Sequence, residues 1–210
     1  MKYKYFLFDW DGSLANTLPI WFAGYKKVFG QFGIKVDNET IAREVLGDWQ
    51  GPARLGIQND EAFFAELEKE VLDKVTAAEL NPGVLEMVKL IKEKGGRVGV
   101  ITASKKRWVK TALKRNLSGF VDVFLGKEDV VEVKPDPEAL IKTLKYMGGR
   151  AEESVMIGDN GKDIQAAKRA GTDSCLYFPE RYKEFYKKEV QMAWGQTRTI
   201  TDFKELRELI

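Results

Sequence analysis

The sequence predicts an α/β fold, a parallel sheet covered by helices on both faces, with a helical block inserted after the first strand. Two observations carry this. From residue 98 onward, short apolar runs alternate with longer segments of helical spacing, the pattern of buried parallel strands and their crossover helices. Between the first apolar run, residues 3–8, and residue 80, the spacing is helical with no convincing strand. A chain of 210 residues suits one α/β domain carrying a modest insertion. The expected core is 1–15 together with 81–210, and the expected insertion, a helical cap, is 16–80.

Each element has its own signal. In the insertion, Ile20, Tyr25, Val28, Phe29 and Phe32 form one apolar helical face that stops near Gly33, and further helices are expected over 39–46 and 61–75. Asn81-Pro82 reads as an N-cap followed by a first-turn proline, opening a helix that Gly95-Gly96 ends. Strands are then expected at 98–101, 121–125, 155–157 and 174–178, with helices over 105–116, 137–147 and 162–170 between them. A last helix is expected from Thr201 or Asp202 to the C-terminus.

Composition limits the chemistry. Hydrophobic residues make up 44% and charged residues 31%, enough for a sizeable core under a solvated surface. A net charge of +2, with signs interspersed, gives no footprint for nucleic acid. No apolar run approaches the ~20 residues a membrane span needs. The single cysteine rules out an intrachain disulfide and fits a reducing cytoplasm. The absence of histidine excludes Ser-His-Asp and Cys-His catalysis and His-based zinc sites. Carboxylates, lysines, hydroxyls and a hard, oxygen-liganded cation remain.

The candidate residues sit at predicted strand ends, where ligands bind in open α/β sheets. Asp9 and Asp11 leave the first strand on one side by period-two alternation, and Gly12 permits a sharp turn after them. Two close acids in different surroundings can divide nucleophile and proton-transfer roles. Thr102, Ala103 and Ser104 follow the second strand and offer a hydroxyl and backbone N–H groups to a phosphate oxygen. Lys134 precedes the rigid Pro135-Asp136-Pro137 run, and Gly158, Asp159, Gly161 and Asp163 form a second acidic loop. Singly, each has a plainer reading as a turn, a helix cap or a solvated lysine.

As an ordered set, the motifs resemble the haloacid dehalogenase superfamily of phosphohydrolases, in its phosphoglycolate phosphatase-like branch with a helical cap. Asn16-Thr17 and the run from Ile164 to Gly171 extend the resemblance over essentially the whole chain. It implies a Rossmann-like core and a Mg2+-dependent phosphatase acting on a small-molecule phosphate ester, phosphoglycolate first, as a monomer or homodimer in the cytoplasm. Asp9 would be the nucleophile and Asp11 the acid–base, with Thr102, Lys134 and the Ala103 N–H stabilising the transferring group. Asp9, Asp11 (through its carbonyl) and Asp159 would hold the metal, with Asp163 behind them. Gly12, Trp49 and Arg54 are the expected substrate contacts, although no basic residue lies between Gly47 and Gly51, where some sugar-phosphate-binding relatives carry one.

Rival readings are a sugar-phosphate mutase on the same fold and a non-enzymatic phosphoacceptor or binding module. Cys175 and Arg181 match the Cys-x5-Arg spacing of cysteine phosphatases, but the loop lacks glycine and Pro179 removes a donor.

Overall fold

The computed structural model describes residues 1–187 and 195–210. Its centre is a six-stranded, wholly parallel sheet: β1 (Tyr5–Asp9), β2 (Arg97–Ile101), β3 (Val123–Leu125), β4 (Ser154–Gly158), β5 (Asp173–Tyr177) and β6 (Arg198–Ile200). The spatial order is β3-β2-β1-β4-β5-β6, so the chain builds outward from β1 first to one side and then to the other. That reversal leaves a crevice at the carboxyl ends of β1 and β4, the usual ligand position in such sheets.

Alternation along β1 explains the two-faced core. Phe6 and Phe8 point into one apolar cluster and Leu7 into the other, all with no exposed surface. The first cluster is closed by α5 (Val84–Glu93), α6 (Lys106–Leu117) and the 3-10 turn Phe203–Glu208. The second is closed by α7 (Glu138–Met147) and α8 (Gly161–Ala170).

Between β1 and α5 the chain forms α1 (Leu18–Gln31), the short α2 (Asn38–Thr40), a π-helical turn over Ile41–Val45, α3 (Gly51–Arg54) and α4 (Asp60–Thr76). Phe63, Leu67, Val71 and Val75 recur every four residues on α4 and are buried against α1. The connections into and out of this block run side by side: Ala15 bridges Leu80, the Asn16 N–H donates to the Glu79 carbonyl, and the Asn81 N–H to that of Leu14.

Several expectations are corrected. The helix expected over 39–46 is a short α-turn that widens into a π-turn. On α1, Trp21 and Phe22 join Tyr25, Val28 and Phe29 in the buried face, whereas Ile20 is half-buried and Phe32 is 37% exposed. Gly83, not Asn81, caps α5; Asn81 is buried and donates to the Gly12 and Ser13 carbonyls. Lys134 lies in a long connection after β3, not at a strand end. The last helix is a 3-10 turn capped by Asp202, and the edge strand β6 was not anticipated, being three residues long.

Gly99 is where β2 passes closest to α7: an added Cβ would lie 2.5 Å from Thr143 Cγ2 and 3.1 Å from Leu7 Cδ2. Gly99→Ala is therefore expected to cost about 1–3 kcal/mol through overpacking. Urea denaturation checks this; a variant as stable as the parent would mean that the strand–helix gap can open freely.

Candidate active site

Asp9 is the last residue of β1 and is 5% exposed. Lys134 Nζ reaches it at 2.5 Å and reaches Asp163 Oδ1 at 2.6 Å, while donating to the Ile101 carbonyl at 3.3 Å. The lysine is thus held between two strands and a helix, with a carboxylate on either side. Asp163 is also tied to its own helix, because its other oxygen accepts from the Asn160 N–H, completing a capping box at the start of α8. Asp159 follows β4 and is fully buried; its carboxylate accepts from the Tyr186 hydroxyl at 2.7 Å.

These groups make an electrostatically incomplete set. Carboxylate oxygens of Asp9, Asp159 and Asp163 lie within 4.8 Å of one another, with one lysine to offset them. Burial pushes Asp9 up to about 8, with Asp163 and Asp11 adding to the rise and Lys134 opposing it. Asp159 is raised as well, by burial first and then by Asp9 and Asp163. Burial alone would lower Lys134, but Asp163 and Asp9 more than offset that and keep it charged. The donor set, three buried carboxylates, suits a small hard cation.

Asp11 has different surroundings. The strand ends before it, and the turn aims its carboxylate at four donors. Oδ1 accepts from Thr17 Oγ1 at 2.9 Å and Trp21 Nε1 at 2.6 Å; Oδ2 accepts from Ser104 Oγ at 2.7 Å and Thr102 Oγ1 at 3.2 Å. Thr17 occupies the N-cap position of α1 but makes no capping bond, its hydroxyl being committed to Asp11. Gly12, at φ +82°, lets the two acidic loops meet: a Cβ there would lie 2.5 Å from Asp159 Oδ2. Its N–H is taken by Ala15 and Thr17, and its carbonyl accepts from Asn81 and Tyr182.

Asp9, Asp11, Thr102, Ala103, Lys134 and Asp163 line one cavity of about 60 Å³, with Trp49 in its wall. Trp49 Nε1 donates to the Ala103 carbonyl at 2.9 Å, and its ring packs on Phe64 and Trp108. Two expected substrate contacts stand elsewhere. Gly12 is spent on backbone packing. Arg54 does not line the cavity; it holds Asp48 Oδ2 and the Glu44 carbonyl, both at 2.8 Å. Sequence reasoning missed Trp21, Lys162 and Tyr186, and it passed over Ser104 in favour of its neighbours. Only Ser104 carried a signal, its place directly after Thr102-Ala103. The Cys175 alternative fails on geometry: the thiol is buried on β5 and pushed up to about 12 by burial, and Arg181 is bound to Asn81 and Tyr177.

The profile of the haloacid dehalogenase-like hydrolases matches residues 6–177, and the chain belongs to that family. Pyrophosphatase PpaX of Halalkalibacterium halodurans is 31% identical over 185 residues, spanning 84% of each chain. PpaX of Bacillus cereus is also 31% identical, over 82% of each. In three dimensions the chain is similar to a Lactobacillus plantarum protein assigned as a phosphoglycolate phosphatase, with a TM-score of 0.85 at 20% identity and full coverage of both. Phosphate-bound CbbY of Rhodobacter sphaeroides gives 0.79 at 21% identity, over 97% of this chain and 96% of its own. At such identities these structures establish the common fold.

The raised acids set a pH dependence. Asp9 ordinarily titrates at 3.8 and in the folded protein at about 8, so between those values the folded state holds a proton the unfolded chain has lost. Its contribution to stability is complete at low pH and disappears as pH rises through about 8. In excess chelator the melting temperature is expected to fall between about pH 5 and pH 8.5, and to fall less steeply in Asp9→Asn. A flat or rising melting temperature over that range would contradict the shift.

Proposed function

We propose that this hydrolase is a Mg2+-dependent phosphatase that cleaves a small phosphate ester through an aspartyl-phosphate on Asp9. The observation that carries the reading is the buried Asp9–Asp159–Asp163 cluster with Lys134 at the carboxyl ends of β1 and β4. The Asp9 and Asp159 carboxylates and the Asp11 carbonyl would hold Mg2+, with Asp163 behind them positioning Lys134. The ion would supply charge compensation for the phosphoryl oxygens.

In this mechanism an Asp9 oxygen attacks phosphorus in line, and the bond from phosphorus to the leaving oxygen breaks. Asp11 gives that oxygen a proton, then takes one from the water that attacks the aspartyl-phosphate and frees Asp9. The hydrogen bonds to Asp11 suit both states. Oδ1 faces the Thr17 hydroxyl and an indole N–H, which can only donate, whereas Oδ2 faces two hydroxyls, which donate or accept. The travelling proton therefore belongs on Oδ2. The Ala103 N–H, which has no acceptor among the described residues, would bind a phosphoryl oxygen, and the Lys134 charge, held between Asp9 and Asp163, would help to offset the phosphoryl charge.

The cavity of about 60 Å³ corresponds to roughly four or five water-sized sites, which suits a compact substrate. Residues 16–80 would then act as a cap that opens to admit substrate, pivoting at the paired connections around residues 15–17 and 79–81. Phosphoglycolate is the first candidate substrate. Pyrophosphate is the second, favoured by the relatives named pyrophosphatase. The single buried thiol accords with a cytoplasmic location.

Phosphate release from a panel of esters and pyrophosphate tests the proposal. Chelation should abolish turnover and Mg2+ restore it. Asp9→Asn should reduce kcat by at least ~10³-fold, while Cys175→Ser stays near the parent rate. Activity of Asp9→Asn within tenfold of the parent would overturn the mechanism.

A further inference from the structure

Two cations line the active-site cavity among the described residues, and they are not equivalent. Lys134 is spent, clamped between Asp9 and Asp163. Lys162 is not. It is the second residue of α8, half-buried, and its Nζ donates to the Leu46 carbonyl at 2.8 Å. A backbone carbonyl satisfies one of the three N–H bonds of an ammonium group and carries no formal charge. No carboxylate lies within ion-pair distance of Lys162 among the described residues.

The rest of the wall sharpens the contrast. Trp21, Tyr25, Trp49, Phe64 and Trp108 add uncharged aromatic surface to the wall, with the Trp21 and Trp49 indole N–H groups already bonded to Asp11 and to the Ala103 carbonyl. Asp48, also in the wall, is already matched: Arg54 holds Oδ2, and the Gln50 N–H donates to Oδ1 at 2.9 Å. A low-polarity wall strengthens any ion pair formed against it. Lys162 is the cation of the cavity wall, besides the clamped Lys134, at which added negative charge gains a charged partner.

Building on the phosphatase reading, we propose that Lys162 binds a second anionic group carried by the leaving portion of the substrate. The substrate class is then a compact phosphorylated anion, whose ester or anhydride oxygen lies one or two bonds from a carboxylate or a second phosphoryl group. A phosphorylated neutral alcohol is disfavoured. Leu46 belongs to the helical insertion, so the substrate anion would share Lys162 with its carbonyl and link substrate binding to the position of that block.

Phosphoglycolate and 2-hydroxyethyl phosphate make the discriminating pair, being of similar size and differing in carboxylate against hydroxymethyl; pyrophosphate tests the phosphoryl source. The parent enzyme should favour phosphoglycolate or pyrophosphate over 2-hydroxyethyl phosphate by at least ~20-fold in kcat/KM, mostly through KM. Lys162→Met should bring that ratio within about threefold of unity, and Lys162→Arg should restore most of it. Direct titration of the preferred anion into Asp9→Asn, with and without Lys162→Met, should show the same loss in affinity without turnover. Which anion is preferred identifies the source. Equal losses on charged and neutral substrates would mean that Lys162 serves the transferring phosphoryl or the fold, and would overturn the proposal while leaving the phosphatase intact. A parent enzyme that favours the neutral ester would do the same. A parent that releases phosphate from no substrate would overturn the underlying reading instead.

Discussion

The buried lysine between Asp9 and Asp163 is the constraint around which the rest is arranged. A carboxylate at the end of a central strand, with water excluded, is costly unless a cation meets it. That cation arrives from a connection after β3, more than a hundred residues later, and its second partner comes from the first turn of α8. Losing Lys134 would leave buried acids unpaired at a cost of about 3–5 kcal/mol, so the strand order and the seating of α8 are tied to the chemistry. The remaining excess of negative charge is the feature that a hard cation would relieve.

The second acid is governed by a different rule. Asp9 sits among charges, whereas Asp11 sits among neutral donors, two from the start of the helical insertion and two from the loop after β2. The insertion therefore contributes directly to the site, through Thr17 and Trp21 on Asp11. Trp49 adds a bond across the cavity to Ala103, and Lys162 another to Leu46. Both join the insertion to segments that line the cavity, so its displacement would alter the surroundings of Asp11 and the cavity wall together.

Tyr186 and Tyr182 extend the same logic to the far side of the acidic loops. Tyr186 donates to Asp159, and Tyr182 to the Gly12 carbonyl, where Asn81 also converges. This aromatic segment after β5 braces both acidic loops from behind. It places fixed donors on the Asp159 carboxylate and on the Gly12 carbonyl, holding both in one orientation.

The sheet, its helices and the core of the site were legible in the sequence because they rest on local rules. Apolar runs such as residues 98–101 and 155–157 can be little but buried strands, and acids and glycines at their ends occupy a known ligand position. Asp9, Asp11, Thr102, Asp159 and Asp163 were named on that basis, Lys134 from its place before Pro135 in the ordered motif set, and the fold brings them together. The fold also decided against some local signals. Asn81 looked like a helix cap, yet the carbonyls of Gly12 and Ser13 claim its side chain. Arg54 looked available to substrate, yet Asp48 holds it. Trp21, Lys162 and Tyr186 could not be read at all, since a tryptophan on an apolar helix face, a lysine in a first turn and a tyrosine in a connection have no pattern until distant segments close on them. The sequence by itself determined the alternation of strands and helices and the acids at their ends. Which donor meets which acid was decided by tertiary packing, because a buried hydrogen bond depends on where two distant backbones are held.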